Sequence, residues 1–572
     1  MRKEWLAPIN DGHKFLGLVQ YRTHCMPEPY PDELARVRKS ELIGNPAAIQ
    51  FAYSLECLGG NPPNEDLVAP YFLPIEKTEG RDETDVLFYT RYTSNPDSPS
   101  LGLLLTDISR SKIKTRFDKS PVLYQIGPEQ RMVALAQRVE YFMENQNPEI
   151  HNYIGKLESG EIIIPPRPLR KHKAVEEALG IVNGSLPTKT VALEEIGYKK
   201  ISSDQEVTRD PQENGYMLNR IGKYPRRIIG GGSMPPATGG VDALIAEALG
   251  HMVTFIPRNS VFTDANRQIA LARHAHTVIN NLQIPELWKE RAIRNIGVSI
   301  GIGDPEKIVN DARRLYHEGG IRLFRIYTIG ADPRILETAK ALRNDPEIGQ
   351  NIEIFVGQIP DAKLGMKLVQ EARVDALVFG HGGGRQCTSA ENGMAVTTVE
   401  EIYESVRCPE LQHTTLLVEG GVGRNIGSLL GLGVDGVFFN GRLIHGTMES
   451  PAGDIFYYDP ETKKIVQPYP GSASAETQLI ESIDPDIRKK RTNKAGRIHT
   501  EGASGFTIWQ QKSEGSMAFS VGSLLQDASR MLADRGVRSI AELREVLYDP
   551  YVEMLRQVTP EARIKGTAYK NG

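Results

Sequence analysis

Between Arg227 and Asn440 the chain alternates short apolar, β-rich runs with helix-like stretches, and this rhythm constrains the fold more than any other feature. The runs are Arg227–Gly230, Met252–Ile256, Asn295–Ile300, Leu323–Ile329, Ile352–Val356, Ala376–Gly380, Thr415–Val418 and Gly436–Asn440. Helical spacing recurs between them. In Asp304–Glu318, Ile308, Ala312 and Leu315 share a face and Asp304 is placed to cap the helix. In Asp332–Arg343 the stripe is Ile335, Leu336, Ala339 and Leu342, and Ala362–Ala372 follows the same pattern. Eight such units suit a closed (β/α)8 TIM barrel of roughly 200–250 residues. An open doubly wound sheet shows the same alternation and is the rival architecture.

The flanks read differently. Residues 1–222 carry Pro-rich stretches (Pro27–Pro31, Pro165–Pro168), a polar cluster at Thr93–Ser100 and one helical pattern at Pro128–Asn145, but no repeat and no functional motif. They are expected to form an additional N-terminal α+β region, with the barrel domain over 223–572. After the last run, the polar residues 459–500, with clustered charge at Arg488–Arg491, predict a mobile flap. Closing helices are expected over 523–556. Ser523 would cap a helix bearing Leu524, Ala528, Met531 and Leu532, Gly536 would stop it, and Ser539 with Glu542 would box the next.

A net charge of −4 argues against a general nucleic-acid binder. Four cysteines without a CxxC pair are too few for a disulfide framework, and no apolar run reaches membrane-spanning length. The expectation is a soluble cytoplasmic chain whose partners include neither nucleic acid nor membrane.

Chemistry concentrates in three loops. GHGGGRQCTS, Gly380–Ser389, follows the sixth run directly, on the barrel face where catalytic residues gather. Its glycines permit close backbone approach, and Arg385 beside Cys387 would favour the thiolate. The competing reading is a buried cysteine that only fills space. EGGVGR (Glu419–Arg424) and NGRLIHG (Asn440–Gly446) follow the seventh and eighth runs. Glycine amides on these two loops commonly bind phosphate, and Arg424 and Arg442 would add charge-assisted bonds. Glu419 could accept bonds from a ribose diol.

These motifs resemble the IMP dehydrogenase/GMP reductase family. GGGRQCTS is similar to the family's GPGSxCxT loop, and Leu416–Asp454 is similar to its DGG and G-S-x-x-A-G-T-x-E-S-P-G segments in order and spacing. GGSM, Gly231–Met234, resembles SSPM after the first strand, and GVRSIAEL, Gly536–Leu543, resembles GAxxIxEL in the closing helices. The likeness spans Tyr224 to Leu547. It implies a thiolate, Cys387, attacking C2 of a purine nucleotide, with hydride exchanged with NAD(H) or NADP(H). It also implies Ser389 and Glu476 as proton-handling groups. For substrate binding it implies Ser233, Met234, Arg385, Glu419, Gly420, Gly421, Gly423, Gly441, Arg442, Tyr469 and Glu501. A potassium ion would bind the carbonyls of Gly382, Gly384 and Cys387, and a homo-oligomer, a tetramer, is the expected assembly.

The departures are specific. Glu419 stands where the family has Asp, and Arg385 and Arg442 replace serines, which points to a different or more anionic ligand. The fourth run reads RIYTIGADP rather than D-S/T-A-H-G. Arg488–Thr492 lacks the Arg-Tyr pair that activates water in IMP dehydrogenases, and no CBS pair is inserted. The missing Arg-Tyr pair favours a reductase-like reaction. Two other readings stay open: a nucleotide-binding regulatory or scaffold protein, and a flavin-phosphate barrel that needs no cysteine.

Overall fold

A computed structural model describes residues 149–198, 215–234, 241–258, 265–328 (except 283), 332–380, 399–420, 425–445 and 517–558, single residues 207, 238, 447 and 449, and five outlying strands. Eight parallel strands form one sheet: β1 Ile229–Gly231, β2 Thr254–Ile256, β3 Ile296–Ile300, β4 Leu323–Ile326, β5 Glu353–Gly357, β6 Ala376–Phe379, β7 Thr415–Glu419 and β8 Gly436–Phe439. Neighbours pair in sequence order, and β8 returns to β1 through Phe438↔Gly230. Between β1 and β2 the backbone bonds Arg227 N to His251 O (2.9 Å) and Gly231 N to Val253 O (2.8 Å) close the ring. The fold is a (β/α)8 barrel, and all eight expected runs are its strands.

Helices follow for local reasons. Asp304 accepts a bond from Glu306 N and opens Pro305–His317, with Ala312 and Leu315 buried. Asp361 does the same for Ala362–Ala372 through Leu364 N. Ser539 accepts from Glu542 N to start Ile540–Tyr548, while Glu542 reaches back to Arg538 N rather than to Ser539. Gly536, at φ +69°, ends the preceding helix.

Three expectations need correcting. Ser523 caps nothing: it lies exposed within Met517–Ala533, because buried Met517, Ala518 and Val521 extend the apolar stripe backwards. After β2 the sequence suggests only one short helix-like segment, Thr263–Asn281, but Ala265–Asn281 is followed by a second helix, Glu286–Asn295, with Trp288 and Ala292 buried on its inner face. Lys464–Tyr469, within the stretch expected as a loop, is a strand paired antiparallel with Ile455–Asp459 and Gly505–Ile508. Aromatic and β-branched residues on both sides of Pro460–Lys463 favour that hairpin. Phe72–Pro74 and Leu123–Ile126 complete the five-stranded sheet. The helix expected at Pro128–Asn145 lies outside the described residues.

Alternation along the strands sends every second side chain inward. Val253, Phe255, Leu323, Phe355, Ala376, Val378, Leu417 and Phe438 fill the middle of the barrel, with Phe255 edge-on to Phe355 and Phe438. The N-terminal end is plugged by the hairpin Leu218–Ile221/Tyr224–Arg227. Here Arg226 forks onto Glu353 at 2.7 and 2.9 Å, both side chains buried, and its Nε donates to Asn295.

Asp435, at the foot of β8, ties three segments together. Its carboxylate accepts from Arg167 (3.2 Å), Arg544 (2.5 Å) and Leu416 N (2.8 Å). Burial pulls the Arg167 guanidinium down to about 10, with Asp435 opposing that shift. Arg167 also donates to Leu411 O and Thr414 O, so the segment preceding the barrel is fastened to its base. Removing one partner of a buried pair typically costs about 3–5 kcal/mol. Asp435→Ala, which leaves two buried guanidiniums without their carboxylate, is expected to lose at least that much in urea unfolding. A loss below about 1 kcal/mol would show that neighbouring carbonyls suffice.

Candidate active site at the C-terminal face

The same alternation that builds the apolar interior dictates the layer above it. One step beyond Gly230, Leu323, Phe355, Val378, Leu417 and Phe438 come Gly232, Arg325, Gly357, Gly380, Glu419 and Asn440. Three large polar groups therefore share a ring with three glycines. A Cβ on Gly232 would lie 2.2 Å from Asn440 Oδ1 and 2.3 Å from Glu419 Oε1. One on Gly380, where φ is +128°, would lie 1.6 Å from the Glu419 carbonyl oxygen. Gly232 vacates the volume that the Glu419 and Asn440 side chains occupy, while Gly357 and Gly380 let the neighbouring strand's backbone approach.

Arg325 and Glu419 form an ion pair across the barrel, both side chains fully buried. Arg325 Nη2 donates to Glu419 Oε2, and Nη1 lies 3.4 Å from Oε1. Asn440 Nδ2 donates to Oε1 at 3.1 Å, and Gln358 Nε2 reaches Oε2 at 3.5 Å. The guanidinium lies 4.6 Å from the Tyr327 ring centroid, 5.5 Å from Phe438 and 5.7 Å from Phe255, which offsets part of its desolvation. Ser299 pairs in register with Arg325 and is buried; its hydroxyl has no hydrogen-bond partner among the described residues.

The rim is braced from several sides. Thr238 donates to Phe255 O (2.6 Å) and lies 3.1 Å from Gly232 O, joining the loop after β1 to β2. Gln268 donates to Pro257 O and Ser299 O, joining β2 to β3. Arg258 donates to Tyr327 O at 2.5 Å, joining β2 to β4. After β8 the short helix Gly441–Ile444 turns back, and a Cβ on Gly441 would lie 2.3 Å from the His445 ring. Arg442 on this turn is exposed. Glu449 accepts from Met517 N at 3.0 Å, which anchors the loop to the closing helix.

Of the residues expected from sequence, Glu419 stands at the barrel mouth, packed against Gly232. Ser233 is fully buried, Met234 is half-buried, Gly420 has φ +77°, and Gly441 with Arg442 stands at the end of β8. Tyr469 ends a strand paired with Gly505. Cys387, Ser389, Glu476, Arg385, Gly421, Gly423, Glu501 and the carbonyl loop Gly382 and Gly384 lie outside the described residues. Among the described residues no group of three or more His, Cys, Asp or Glu could hold a metal. No described helix is long and apolar enough to cross a membrane. Cys408 lies at the opposite end of the barrel, before β7, and is buried. Burial pushes its thiol up, as does a bond to Glu410. Sequence reasoning passed over Arg325, Gln358 and Asn440. For Arg325 a signal existed: a lone cation in the middle of the apolar run LFRI.

The sequence model of the IMP dehydrogenase / GMP reductase domain matches residues 167–563. No curated protein matches the chain. The matched stretch begins at the arginine that fastens the chain to Asp435 and takes in all eight strands and both closing helices.

Behind the mouth, Gly231 faces outward, and a Cβ there would lie 1.9 Å from Glu247 Oε2. Glu247 is buried on the helix Val241–Leu249, and burial pushes its carboxyl well above the usual 4.5, with Thr254 opposing only in part. An acid with a raised folded pKa stabilises the fold below its unfolded value and loses that contribution as pH rises through the folded one. Glu247→Gln, neutral at every pH, should therefore match the parent in Tm near pH 4.5 and exceed it increasingly toward alkaline pH. Parallel Tm profiles for parent and variant would contradict the assignment.

Proposed function

Because the chain belongs to the IMP dehydrogenase/GMP reductase family, whose members are NAD(P)-linked purine-nucleotide oxidoreductases, we propose that it acts on a purine-nucleotide-like substrate through a Cys387 adduct, in the reductive direction. The observation that carries this reading is the convergence of β6, β7 and β8. The loop bearing Cys387 leaves from Gly380, whose Cα is packed on the Glu419 carbonyl, and Glu419 in turn contacts Asn440 at the start of the third loop. A nucleophile loop and two glycine-rich loops thus start from one small area of the C-terminal face.

In this reading the Cys387 thiolate adds to C2 of the base, which turns a poor leaving step into two easier ones. The 2-amino group departs with a proton supplied at that nitrogen, and expulsion of the thiolate completes the exchange at C2. Ser389 keeps a hydroxyl two residues from the sulfur, and Glu476 is the proposed proton source. The nicotinamide cofactor, NAD(H) or NADP(H), supplies the hydride when bound. Arg258, half-buried at the rim between β2 and β4, is a cation that fits the cofactor's pyrophosphate. The missing water-activating pair at Arg488–Thr492 supports reduction over hydrolytic oxidation.

Incubation with GMP and NADPH, then with IMP and NAD, followed near ~340 nm, tests the direction. Turnover is expected with the first pair and should be lost in Cys387→Ala; turnover confined to IMP with NAD would sink the reductive reading. Iodoacetamide should label Cys387 ahead of Cys408, and nucleotides should protect it.

The phosphate is placed between the EGGVGR and NGRLIHG loops, with Arg442 giving charge where the family has a hydroxyl. A bond to a charged group is typically worth about 1.5–3 kcal/mol, so Arg442→Ala should weaken nucleotide binding roughly ten- to a hundred-fold. Equal affinity of the parent for nucleoside and nucleotide would rule the site out.

A further inference from the structure

The floor of the mouth carries a consequence for the ligand, resting on the nucleotide reading above. A carboxylate offers about four lone-pair positions. On Glu419 all four face donors: Arg325 Nη1 (3.4 Å) and Asn440 Nδ2 (3.1 Å) at Oε1, and Arg325 Nη2 and Gln358 Nε2 (3.5 Å) at Oε2. The side chain has no exposed surface, and Gly232 is packed against Oε1. A sugar diol could reach this carboxylate only by displacing one of these donors: a side-chain amide of Asn440 or Gln358, or a buried guanidinium that has no other carboxylate partner among the described ion pairs.

We infer that Arg325 is a positioning residue that withdraws Glu419 from the ligand, so that the site does not read the ligand's sugar hydroxyls. Its substrate class is purine nucleoside monophosphates recognised at base and phosphate, ribo and 2′-deoxyribo alike. The chemical contrast is large. A site built to bond a substrate hydroxyl rejects the analogue lacking it by roughly 10⁴-fold or more, because its own polar groups are left unpaired. Here those groups are already paired with each other.

Calorimetric titration of the full chain with GMP, 2′-deoxy-GMP, IMP and 2′-deoxy-IMP tests this. Each ribo/deoxy pair is expected to agree within about threefold, because no buried group loses a partner when the hydroxyl is absent. A larger ribo preference overturns the inference and leaves nucleotide binding intact. Silence with all four, and with inorganic phosphate, overturns the nucleotide reading itself. Two variants separate positioning from simple structural support. Arg325→Lys keeps the charge but cannot fork, so it frees one Glu419 oxygen and should raise the ribo/deoxy ratio about fivefold or more. An unchanged ratio with both affinities lowered together would mark Arg325 as merely structural. Glu419→Gln should leave the ratio near one, and selective loss of the ribo forms would show that the carboxylate does read the diol.

Discussion

A guanidinium sealed inside a barrel has to find a carboxylate in the same layer, and the upper half of this molecule is arranged around that requirement. Arg325 enters the interior from β4 with no exposed surface, and Glu419 comes from β7 on the far side of the ring to meet it. The effective desolvation penalty for such a pair is several kcal/mol per ion, recovered only when geometry and extra hydrogen bonds are both good. Phe255, Phe438 and Tyr327 around the cation, with Asn440 and Gln358 on the anion, supply those conditions. Neighbouring positions must then be small. Gly232 is a glycine because a Cβ there would overlap the Glu419 carboxylate.

The base of the barrel applies the same electrostatic logic to a different end. Arg226 with Glu353 plugs the interior from below, and Asp435 gathers Arg167 and Arg544 at the foot of β8. The apolar layer of Phe255, Phe355, Leu417 and Phe438 lies between the two polar layers. Since the lower network holds the N-terminal segment and the closing helix in place, the upper loops can differ from their relatives without loosening the scaffold.

Periodicity made the barrel legible, because strand alternation and helical stripes are local properties of the chain. All eight strand positions could be read from apolar runs, and Asp304 and Ser539 from their place ahead of such stripes. Pairing between distant residues was not legible in the same way. Nothing near Arg325 in sequence announces Glu419, 94 positions away, as its partner. Ser523 misled because a plausible cap residue carries no information about apolar positions further upstream. The helix Glu286–Asn295 was missed because its buried face includes Arg291 and Asn295, which do not count toward an apolar stripe.

Two departures from the family pattern that look independent in the sequence become one in the structure. The fourth run lacks the expected acid and carries Arg325; the seventh ends in Glu where Asp is usual. An aspartate at 419 would carry its carboxylate one methylene shorter, roughly 1 Å or more back toward β7. Arg325, anchored on the opposite strand, would then lose its fork and stand buried with a stretched partner. Glutamate closes that distance. Once the cation is present, the longer acid lets the pair fork inside the barrel. The glutamate at 419 is thus better explained by charge balance inside the barrel than by adjustment to a differently placed sugar.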